Sequence, residues 1–262
     1  MTEATSRPRA LITGASGGIG EAFARHLAKR GHDLVLVARR RDRLEKLAAE
    51  LSEAHGVEAE VVEVDLADDS AVATVEERLR RGDIDLLVND AGFGTRGEFA
   101  GLPIERELEE LDVNVRALMR LTHAALGPMV ERGRGGVINV ASTGAFQPVP
   151  HMATYAATKA FVLHFSEALH EEVKGKGVTV TCLCPGPVKT DFQQVAGVND
   201  RRVPSLAWTS VDAVVESALK AVSARRAIVM PGLLNQVTAG AVKLMPRSLA
   251  RRIAGAMFRE EG

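Results

Sequence analysis

The chain has 262 residues, 46% of them hydrophobic, and its 33 basic residues nearly balance its 34 acidic ones. This balance gives no reason to expect nucleic acid as a partner, and 4% aromatic residues are too few for base-stacking surfaces. The polar N-terminus lacks a secretory signal, and no apolar run approaches the roughly 20 residues that span a bilayer, so we expect a cytoplasmic protein.

Apolar segments typical of buried strands alternate with helical segments along the chain. The predicted strands cover residues 10–13, 32–38, 57–66, 84–92, 135–142, 177–186 and 227–232. The predicted helices cover residues 21–31, 40–56, 68–80, 103–131, 152–174 and 211–223. In helix 103–131 one apolar stripe is predicted, formed by Leu108, Leu111, Val115, Leu118, Leu126 and Met129. The alternation predicts an α/β fold, a doubly wound parallel sheet of about seven strands with helices on both faces.

We treat residues 1–262 as a single domain, because neither a linker nor a repeat interrupts the pattern. Residues 191–209 lack a helical period and are predicted to form a substrate lid, and residues 233–262 a C-terminal helical extension. Cys182 and Cys184 lie in the sixth strand without His or Cys partners at ligand spacing. We therefore expect them to be buried apolar residues, and we expect no metal site.

A glycine-rich turn follows the first strand and opens the first helix. It reads TGASGGIG and contains Gly14, Ser16, Gly18, Ile19 and Gly20. Glycines let the backbone approach a diphosphate closely, and the N-terminus of the helix offers free N–H groups to the anion. The loop alone is weak evidence, but its place between a strand and a helix predicts a dinucleotide site.

The ends of the second and third strands predict where the 2′-phosphate and the adenine of the dinucleotide would bind. The second strand ends in Ala38 and is followed by three arginines, where an NAD site usually has an acid. Arg39 and Arg40 suit a 2′-phosphate, which favours NADP(H) over NAD(H), although at least one of the three arginines is expected only to start a helix. Asp65 and Leu66 close the third strand and are placed at the adenine, with a helix N-cap as the alternative role for Asp65.

The only tyrosine of the chain, Tyr155, lies one helical turn before Lys159, so the two side chains share a helix face. An ammonium about 4 Å from a phenolate is worth roughly 4 kcal/mol at an effective dielectric constant near 20, or about 3 pK units. Burial opposes this effect. The pairing predicts a phenol whose pKa is lowered towards neutrality and which acts as a general acid/base.

Six motifs in one order resemble the classical short-chain dehydrogenase/reductase family. They are TGASGGIG, NDAG at 89–92, the asparagine of LDVNV, the serine of NVAST, YAATK and PGPVKT, and the similarity covers roughly residues 8–232. The resemblance implies a Rossmann-type fold and an NAD(P)-dependent oxidoreductase that transfers hydride between a secondary alcohol and a carbonyl.

The resemblance also assigns roles to single residues. Tyr155 is implied as the acid/base, Lys159 as the group that tunes it and holds the ribose, Ser142 as a donor to the substrate oxygen, and Asn114 as the support of a water-mediated proton supply. Further cofactor contacts are implied for Asn89, Ala91, Gly92, Pro185, Gly186, Val188 and Thr190.

The chain departs from the family pattern at two positions. Asp90 stands where the family usually has a second asparagine, so a different hydrogen bond is expected to hold that turn. Gly17 occupies a loop position that is basic in many NADP-preferring members, so the preference for NADP depends on the arginines after the second strand.

The substrate is expected between the serine strand, the tyrosine helix and the segment after PGPVKT. Besides Ser142 and Tyr155, the candidate substrate contacts are Phe93, Phe146, Phe192 and Trp208. These side chains favour an apolar ketone or an acyl substrate over a small charged acid. The basic, amphipathic tail is expected to cover the pocket or a partner subunit, and contact with a membrane surface is the less favoured alternative. The long helices 103–131 and 152–174 suggest a homodimer or homotetramer by analogy.

Two other function classes fit the same motifs less well. A regulator that binds NADP without turnover would typically lack the tyrosine, the lysine or the serine, all of which are present. An epimerase or dehydratase acting on nucleotide sugars would usually carry a longer C-terminal substrate domain and a different glycine spacing.

Overall fold

The computed structural model describes residues 7–190, 192 and 207–257, in which strands and helices alternate. The strands are β1 (Arg9–Thr13), β2 (Asp33–Ala38), β3 (Ala59–Glu63), β4 (Leu86–Asn89), β5 (Gly135–Val140), β6 (Val178–Leu183) and β7 (Ile228–Val229). The helices are α1 (Gly18–Ala28), α2 (Arg41–His55), α3 (Asp69–Arg80), α4 (Ile104–Leu111), α5 (Leu118–Glu131), α6 (Ala153–Val173), α7 (Val211–Ser223), α8 (Leu233–Leu244) and α9 (Arg247–Met257). Two 3₁₀ turns, Phe99–Gly101 and Thr143–Phe146, and a π-helical segment, Asp112–Ala117, lie between them.

All strand pairs in the described sheet are parallel, and the strand order is β3-β2-β1-β4-β5-β6-β7. The order reverses between β1 and β4, where the chain crosses from one half of the sheet to the other. Ligands of doubly wound sheets bind at such a crossing, outside the carboxyl ends of the strands. The predicted fold class is confirmed.

The two faces of the sheet are covered because successive strand side chains point in opposite directions. In β1, Ala10 and Ile12 pack with residues of α1, α2 and α7, whereas Leu11 packs on the opposite face with residues of α3 and α5. The central strands are therefore buried on both sides, as their continuous apolar sequences predict.

The predicted helix 103–131 is interrupted by the π-helical segment, and its predicted apolar stripe is wrong at two of six positions. Leu118 and Met129 are buried, but the side chains of Leu108 and Leu111 are 52% and 40% exposed. A π turn takes in one residue more than an α turn, so the faces of α4 and α5 do not continue into each other. The face of α4 that points inwards carries glutamates.

The C-terminal extension places α8 against the 3₁₀ turn Thr143–Phe146. Asn235 of α8 is buried and lies beneath Gly186, where an added Cβ would come within 2.3 Å of its amide nitrogen. Leu249 and Ile253 of α9 remain exposed. Most of the predicted lid, residues 191 and 193–206, lies outside the described residues.

Cys182 and Cys184 are both buried, with their sulfur atoms 3.7 Å apart, which agrees with their expected role as apolar strand residues. Among the helices of the described ranges, none combines the length and the apolar character needed to cross a bilayer.

Candidate active site

A cavity of about 590 Å³ opens at the carboxyl ends of the strands, where the strand order reverses. Most of the predicted site residues line it: Gly14, Ser16, Gly18, Ile19, Arg39, Arg40, Asp65, Leu66, Ala91, Gly92, Phe93, Ser142, Tyr155, Lys159, Pro185, Gly186, Val188, Thr190, Phe192 and Trp208. The cavity therefore brings the predicted nucleotide residues and the predicted tyrosine site together.

Four predicted site residues do not line the cavity. Gly20 lies behind the glycine loop, and Asn114 lies behind Phe93. Asn89 donates to Thr122 and Asn139 instead, which ties β4 to α5 and β5. Phe146 packs against the apolar cluster that contains Val162, Leu163 and Cys182, so its expected substrate contact is not seen in the structure.

Several lining residues were not predicted, and two of them are informative. Gln147 adds a polar side chain beyond the predicted set, and Met152 lies directly before α6, three residues ahead of Tyr155. The spacing of Met152 was a usable signal, because residues three apart share a helix face. Nothing in the sequence near Gln147 indicates that it faces the cavity.

The glycine loop is shaped by close backbone contacts. Gly14 has φ +71° and Gly18 has φ +58°, values that side-chain-bearing residues rarely adopt. A Cβ at Gly20 would lie 2.5 Å from the carbonyl oxygen of Gly14, so a larger residue there would displace the loop. Because α1 begins at Gly18, its first N–H groups face the cavity and can hold a phosphate.

The three arginines after β2 have different surroundings. Arg40 donates from Nε to Ser16 Oγ and from Nη2 to the Ser16 carbonyl oxygen, both at 3.1 Å, so its guanidinium is tied to the glycine loop. Arg39 is 61% exposed and lies 3.6 Å from Asp65 and 3.8 Å from Glu109. Arg40 and Arg39 both line the cavity.

Arg41 is the arginine that only starts a helix. It is the first residue of α2 and pairs with Glu45 one turn later, at 2.7 Å. Asp65 does not cap the following helix, because Asp68 is the residue that accepts from Ser70 N at the start of α3. Asp65 lines the cavity, and its contact with the adenine stays a prediction.

Tyr155 and Ser142 form the polar centre of the other end of the cavity. Ser142 makes a hydrogen bond with the Tyr155 hydroxyl and also accepts from the Gly144 N–H at 3.1 Å. Phe192 lies beside the phenol, with ring centroids 5.4 Å apart. A carbonyl oxygen placed at this pair of hydroxyls would receive two hydrogen bonds.

Lys159 lies over the Tyr155 ring and makes its hydrogen bond to the backbone of β5. Its Nζ is 5.7 Å from the Tyr155 ring centroid and donates to the Val140 carbonyl oxygen at 2.9 Å. The side chain is buried, and burial lowers the pKa of Lys159 against the opposing charges of Asp90 and Glu110.

The expected lowering of the Tyr155 pKa is wrong for the chain without a cofactor. Burial raises the pKa of Tyr155 to about 12, the Ser142 hydrogen bond lowers it, and the charges of Glu110 and Asp90 raise it further. Desolvation outweighs the Ser142 hydrogen bond because a phenolate loses its hydration on burial.

Asn114 lies in the π-helical segment and is fully buried. Its Oδ1 accepts from the Phe93 N–H at 3.1 Å, and its Nδ2 donates to the Phe93 carbonyl oxygen at 2.9 Å and to Thr158 Oγ1 at 3.1 Å. A Cβ at Gly92 would lie 2.8 Å from this side chain and 3.4 Å from Lys159 Nζ. Asn114 therefore joins the loop after β4 to α6, next to the lysine.

Asp90, the departure from the family pattern, holds the glycine loop. Its backbone N–H and that of Ala91 both donate to Thr13 Oγ1 at 3.0 Å, and its carboxylate accepts from the Gly20 N–H. Burial raises the pKa of Asp90 to about 7, although the charge of Lys159 and the Gly20 N–H act in the opposite direction.

This raised pKa predicts a pH-dependent stability. An acid whose pKa is higher in the folded state binds more protons there, so its contribution weakens as pH rises to about 7 and stays low above that. We expect Asp90→Asn to have a higher Tm than the wild type at pH 8, with the difference narrowing steadily as pH falls towards 5. Each kcal/mol recovered is worth roughly 2–4 °C. Thermal unfolding between pH 5 and 8 measures it.

The control for this prediction is Glu53→Gln, which removes an exposed carboxylate of α2 and should change Tm little at any of these pH values. A difference between Asp90→Asn and the wild type that stays constant from pH 5 to pH 8 would contradict the argument.

The segment after β6 closes the cavity beside Ser142. The Pro185 carbonyl oxygen accepts from the Thr143 N–H at 2.9 Å, and the Pro187 carbonyl oxygen accepts from the Thr209 N–H at 3.0 Å. Thr190 Oγ1 accepts from the Phe192 N–H at 3.3 Å. This segment is thereby fixed between the serine turn and Thr209, the last residue of the predicted lid.

The comparisons with known proteins agree with this geometry. A family model described as short chain dehydrogenase matches residues 8–201. Very-long-chain 3-oxoacyl-CoA reductase of Rattus norvegicus is 35% identical over 217 residues, which are 81% of this chain and 68% of that protein.

Two solved structures are similar over nearly the whole chain. A short-chain dehydrogenase from Sphingobium yanoikuyae in complex with NADPH has a TM-score of 0.82 and 36% identity, covering 92% of this chain and 97% of that one. The bulky-bulky ketone specific alcohol dehydrogenase from Comamonas testosteroni has a TM-score of 0.79 and 33% identity, covering 93% and 97%.

Proposed function

We propose a specific reaction for this chain on the premise that it belongs to the short-chain dehydrogenase family and is therefore an oxidoreductase. The reaction is the NADP(H)-dependent interconversion of an apolar ketone or acyl ketone and its secondary alcohol. The observation that carries the proposal is the hydrogen-bonded pair of Tyr155 and Ser142, which lies in the same cavity as the glycine loop.

The cavity residues fit a dinucleotide along their whole length. Gly14 and Gly18 leave room beside the backbone for a diphosphate, and a Cβ at Gly14 would already lie 3.0 Å from Ala91 N. We infer that Arg39 and Arg40 hold the 2′-phosphate, Asp65 and Leu66 the adenine, and the Pro185–Thr190 segment the nicotinamide. The named NADPH complex of a similar structure supports this choice of cofactor.

In the reductive direction, a reduced nicotinamide held by the Pro185–Thr190 segment would supply a hydride to the carbonyl carbon. Tyr155 donates its proton to the carbonyl oxygen, and Ser142 donates a hydrogen bond to the same atom as its negative charge develops. Lys159 keeps a positive charge behind the phenol, and Asn114 keeps the loop after β4 against that lysine. The raised pKa of Tyr155 keeps the phenol protonated at neutral pH, which is the form that this direction needs.

The substrate end of the cavity is mainly apolar. Phe93, Val149, Met152, Phe192 and Trp208 line it. Such a lining favours a hydrophobic substituent on each side of the carbonyl over a carboxylate. The names of the similar proteins, a 3-oxoacyl-CoA reductase and a ketone-specific alcohol dehydrogenase, support the same substrate class.

The test follows NADPH absorbance with a panel of apolar ketones, aldehydes and 3-oxoacyl thioesters. We expect consumption with at least one large apolar ketone or acyl ketone, and little with small 2-oxo acids. Binding of NADPH without turnover on the whole panel would favour the regulator considered above and overturn the proposal.

We also propose that the chain acts as a homo-oligomer and is cytoplasmic, both of which stay predictions. Exposed apolar side chains on α4, α5 and α6 support self-association, among them Ile104, Leu108, Leu111, Met119 and Phe161. Such side chains on neighbouring helices form the kind of patch that a second subunit covers.

A further inference from the structure

The inner face of α4 carries two buried carboxylates that the proposed reaction does not use. Glu107 is 3% exposed and Glu110 is fully buried, whereas the apolar Ile104 and Leu108 of the same helix are each 52% exposed. Burying a carboxylate costs free energy unless hydrogen bonds or charges compensate for it. Hydrophobic packing alone does not explain a helix that buries its glutamates and exposes its apolar side chains.

Each glutamate binds one threonine. Glu110 Oε2 accepts from both the backbone N–H and the Oγ1 hydroxyl of Thr95, each at 2.9 Å. Glu107 Oε2 accepts from Thr154 Oγ1. The Oε1 atom of each glutamate is buried and has no hydrogen-bond partner within the described part of the chain.

Both threonines adjoin the phenol of the candidate acid. Thr154 directly precedes Tyr155 in the first turn of α6. Thr95 follows Gly94, and a Cβ at Gly94 would lie 2.9 Å from Tyr155 Cδ2, so this loop packs directly against the ring. Glu110 therefore binds the loop that packs against the phenol ring, and Glu107 binds the residue directly before Tyr155.

We propose that Glu107 and Glu110 form a carboxylate clamp that positions Tyr155 for proton transfer, and that Glu110 also acts on the phenol through its charge. This inference rests on the proposed function, because it gives Tyr155 the role of acid. Both glutamates are positioning residues, since neither lines the cavity.

The electrostatic part of the clamp involves charged groups on two helices. Glu110 faces Glu107 on its own helix and acts on Lys159 and Tyr155 of α6. Burial raises the pKa of Glu110 to about 7, the Thr95 hydrogen bonds lower it, the charge of Glu107 raises it, and that of Lys159 lowers it. Above pH 7 Glu110 is thus ionised, and its charge raises the pKa of Tyr155.

The single tyrosine of the chain makes this testable without a substrate. The ultraviolet absorbance of tyrosinate reports Tyr155 alone, since the sequence holds one tyrosine. In Glu110→Gln the amide oxygen can still accept from Thr95, but the negative charge is gone. We expect the midpoint of phenolate formation to fall by about 0.5–1 unit relative to the wild type.

The matched control is Glu105→Gln, which removes an exposed carboxylate from the same helix and should leave the midpoint unchanged. A second variant, Glu110→Val, also removes the anchor of Thr95. With any ketone that the wild type reduces, we expect its kcat to fall about tenfold further than that of Glu110→Gln, with the KM for NADPH unchanged.

Failure of the clamp and failure of the proposed function give different results. If Glu110→Gln has native circular dichroism but titrates at the wild-type midpoint, the charge effect is overturned, and if Glu110→Val keeps the kcat of Glu110→Gln, the clamp is overturned. If the wild type binds NADPH and reduces nothing, the reaction is overturned while the titration still decides the charge effect. Should Glu110→Val not fold, Glu110→Gln remains decisive for the charge effect, and Thr95→Val, which removes one of the two hydrogen bonds to Glu110, replaces Glu110→Val in the kcat comparison.

Discussion

Tyr155→Phe should lower kcat for carbonyl reduction by roughly 10²–10⁴-fold, the usual contribution of a positioned general acid. The substitution removes one oxygen from the end of the cavity and leaves the ring, which packs against Gly94 and Phe192, in place. The Ser142 hydroxyl remains and can still bind the carbonyl oxygen, but it has no acidic partner to deliver the proton. Steady-state rates of NADPH consumption measure the loss.

The binding of NADPH separates a chemical effect from a structural one. We expect the affinity of Tyr155→Phe for NADPH, followed by the fluorescence of the bound nucleotide, to change less than kcat, because most of the contacts predicted for it lie at the glycine loop and the arginines. His164→Gln, an exposed change on the same helix, is the matched control and should keep wild-type turnover. Unchanged kcat in Tyr155→Phe would refute the role of Tyr155.

The raised pKa of Tyr155 affects carbonyl reduction and alcohol oxidation differently. Reduction needs the phenol and oxidation needs the phenolate, and in the chain alone the phenol persists to about pH 12. Bringing the phenolate into the neutral range requires positive charge near the phenol, and the Lys159 ammonium donates its hydrogen bond to Val140. The oxidised nicotinamide is cationic and would stabilise the phenolate when it is bound.

Sequence alone was sufficient for the strands, most helices and the edge of the sheet at which most of the predicted site residues meet. Strand ends such as Thr13, Asp90 and Ser142 meet at one edge because the strands are parallel and their apolar runs set where they stop. The convergence of the motifs can therefore be predicted without any knowledge of distances. Strand boundaries differed by a few residues, most at β3 and at β4, where the predicted runs begin before the strand and continue beyond it.

The orientation of α4 was not accessible from the sequence. Its pattern offers an apolar face with Leu108 and Leu111 and an acidic face with Glu107 and Glu110, and burial of the leucines is the cheaper choice for an isolated helix. The structure buries the glutamates because Thr95 and Thr154, from two distant parts of the chain, supply the hydrogen bonds. Those partners are known only once the fold is known.

The direction of the Tyr155 pKa shift was missed for a related reason. Spacing on a helix shows that Tyr155 and Lys159 share a face, but not which acceptor the ammonium uses. The Val140 carbonyl oxygen comes from β5, and its position beside Lys159 depends on how α6 crosses the sheet. The size of a burial effect likewise depends on the finished structure, so the balance between charge and desolvation could not be decided beforehand.

The preference for NADPH is expected to depend on Arg40 more than on Arg39. Two hydrogen bonds to Ser16 hold the guanidinium of Arg40 at the glycine loop, whereas Arg39 is exposed and lies near two acids. A hydrogen bond to a charged group is worth about 1.5–3 kcal/mol, so Arg40→Ala should lower the ratio of kcat/KM for NADPH to kcat/KM for NADH roughly 10- to 100-fold.

A comparison of NADPH with NADH distinguishes a role of Arg40 in binding the 2′-phosphate from a role in supporting the glycine loop. If Arg40 binds the 2′-phosphate, its loss raises the KM for NADPH and leaves that for NADH nearly unchanged, because NADH lacks this group. If Arg40 only braces Ser16, both coenzymes weaken equally and the ratio stays constant, which would remove the basis for preferring NADP. Arg41→Ala is the matched control, since Arg41 pairs with Glu45 on α2 and does not line the cavity.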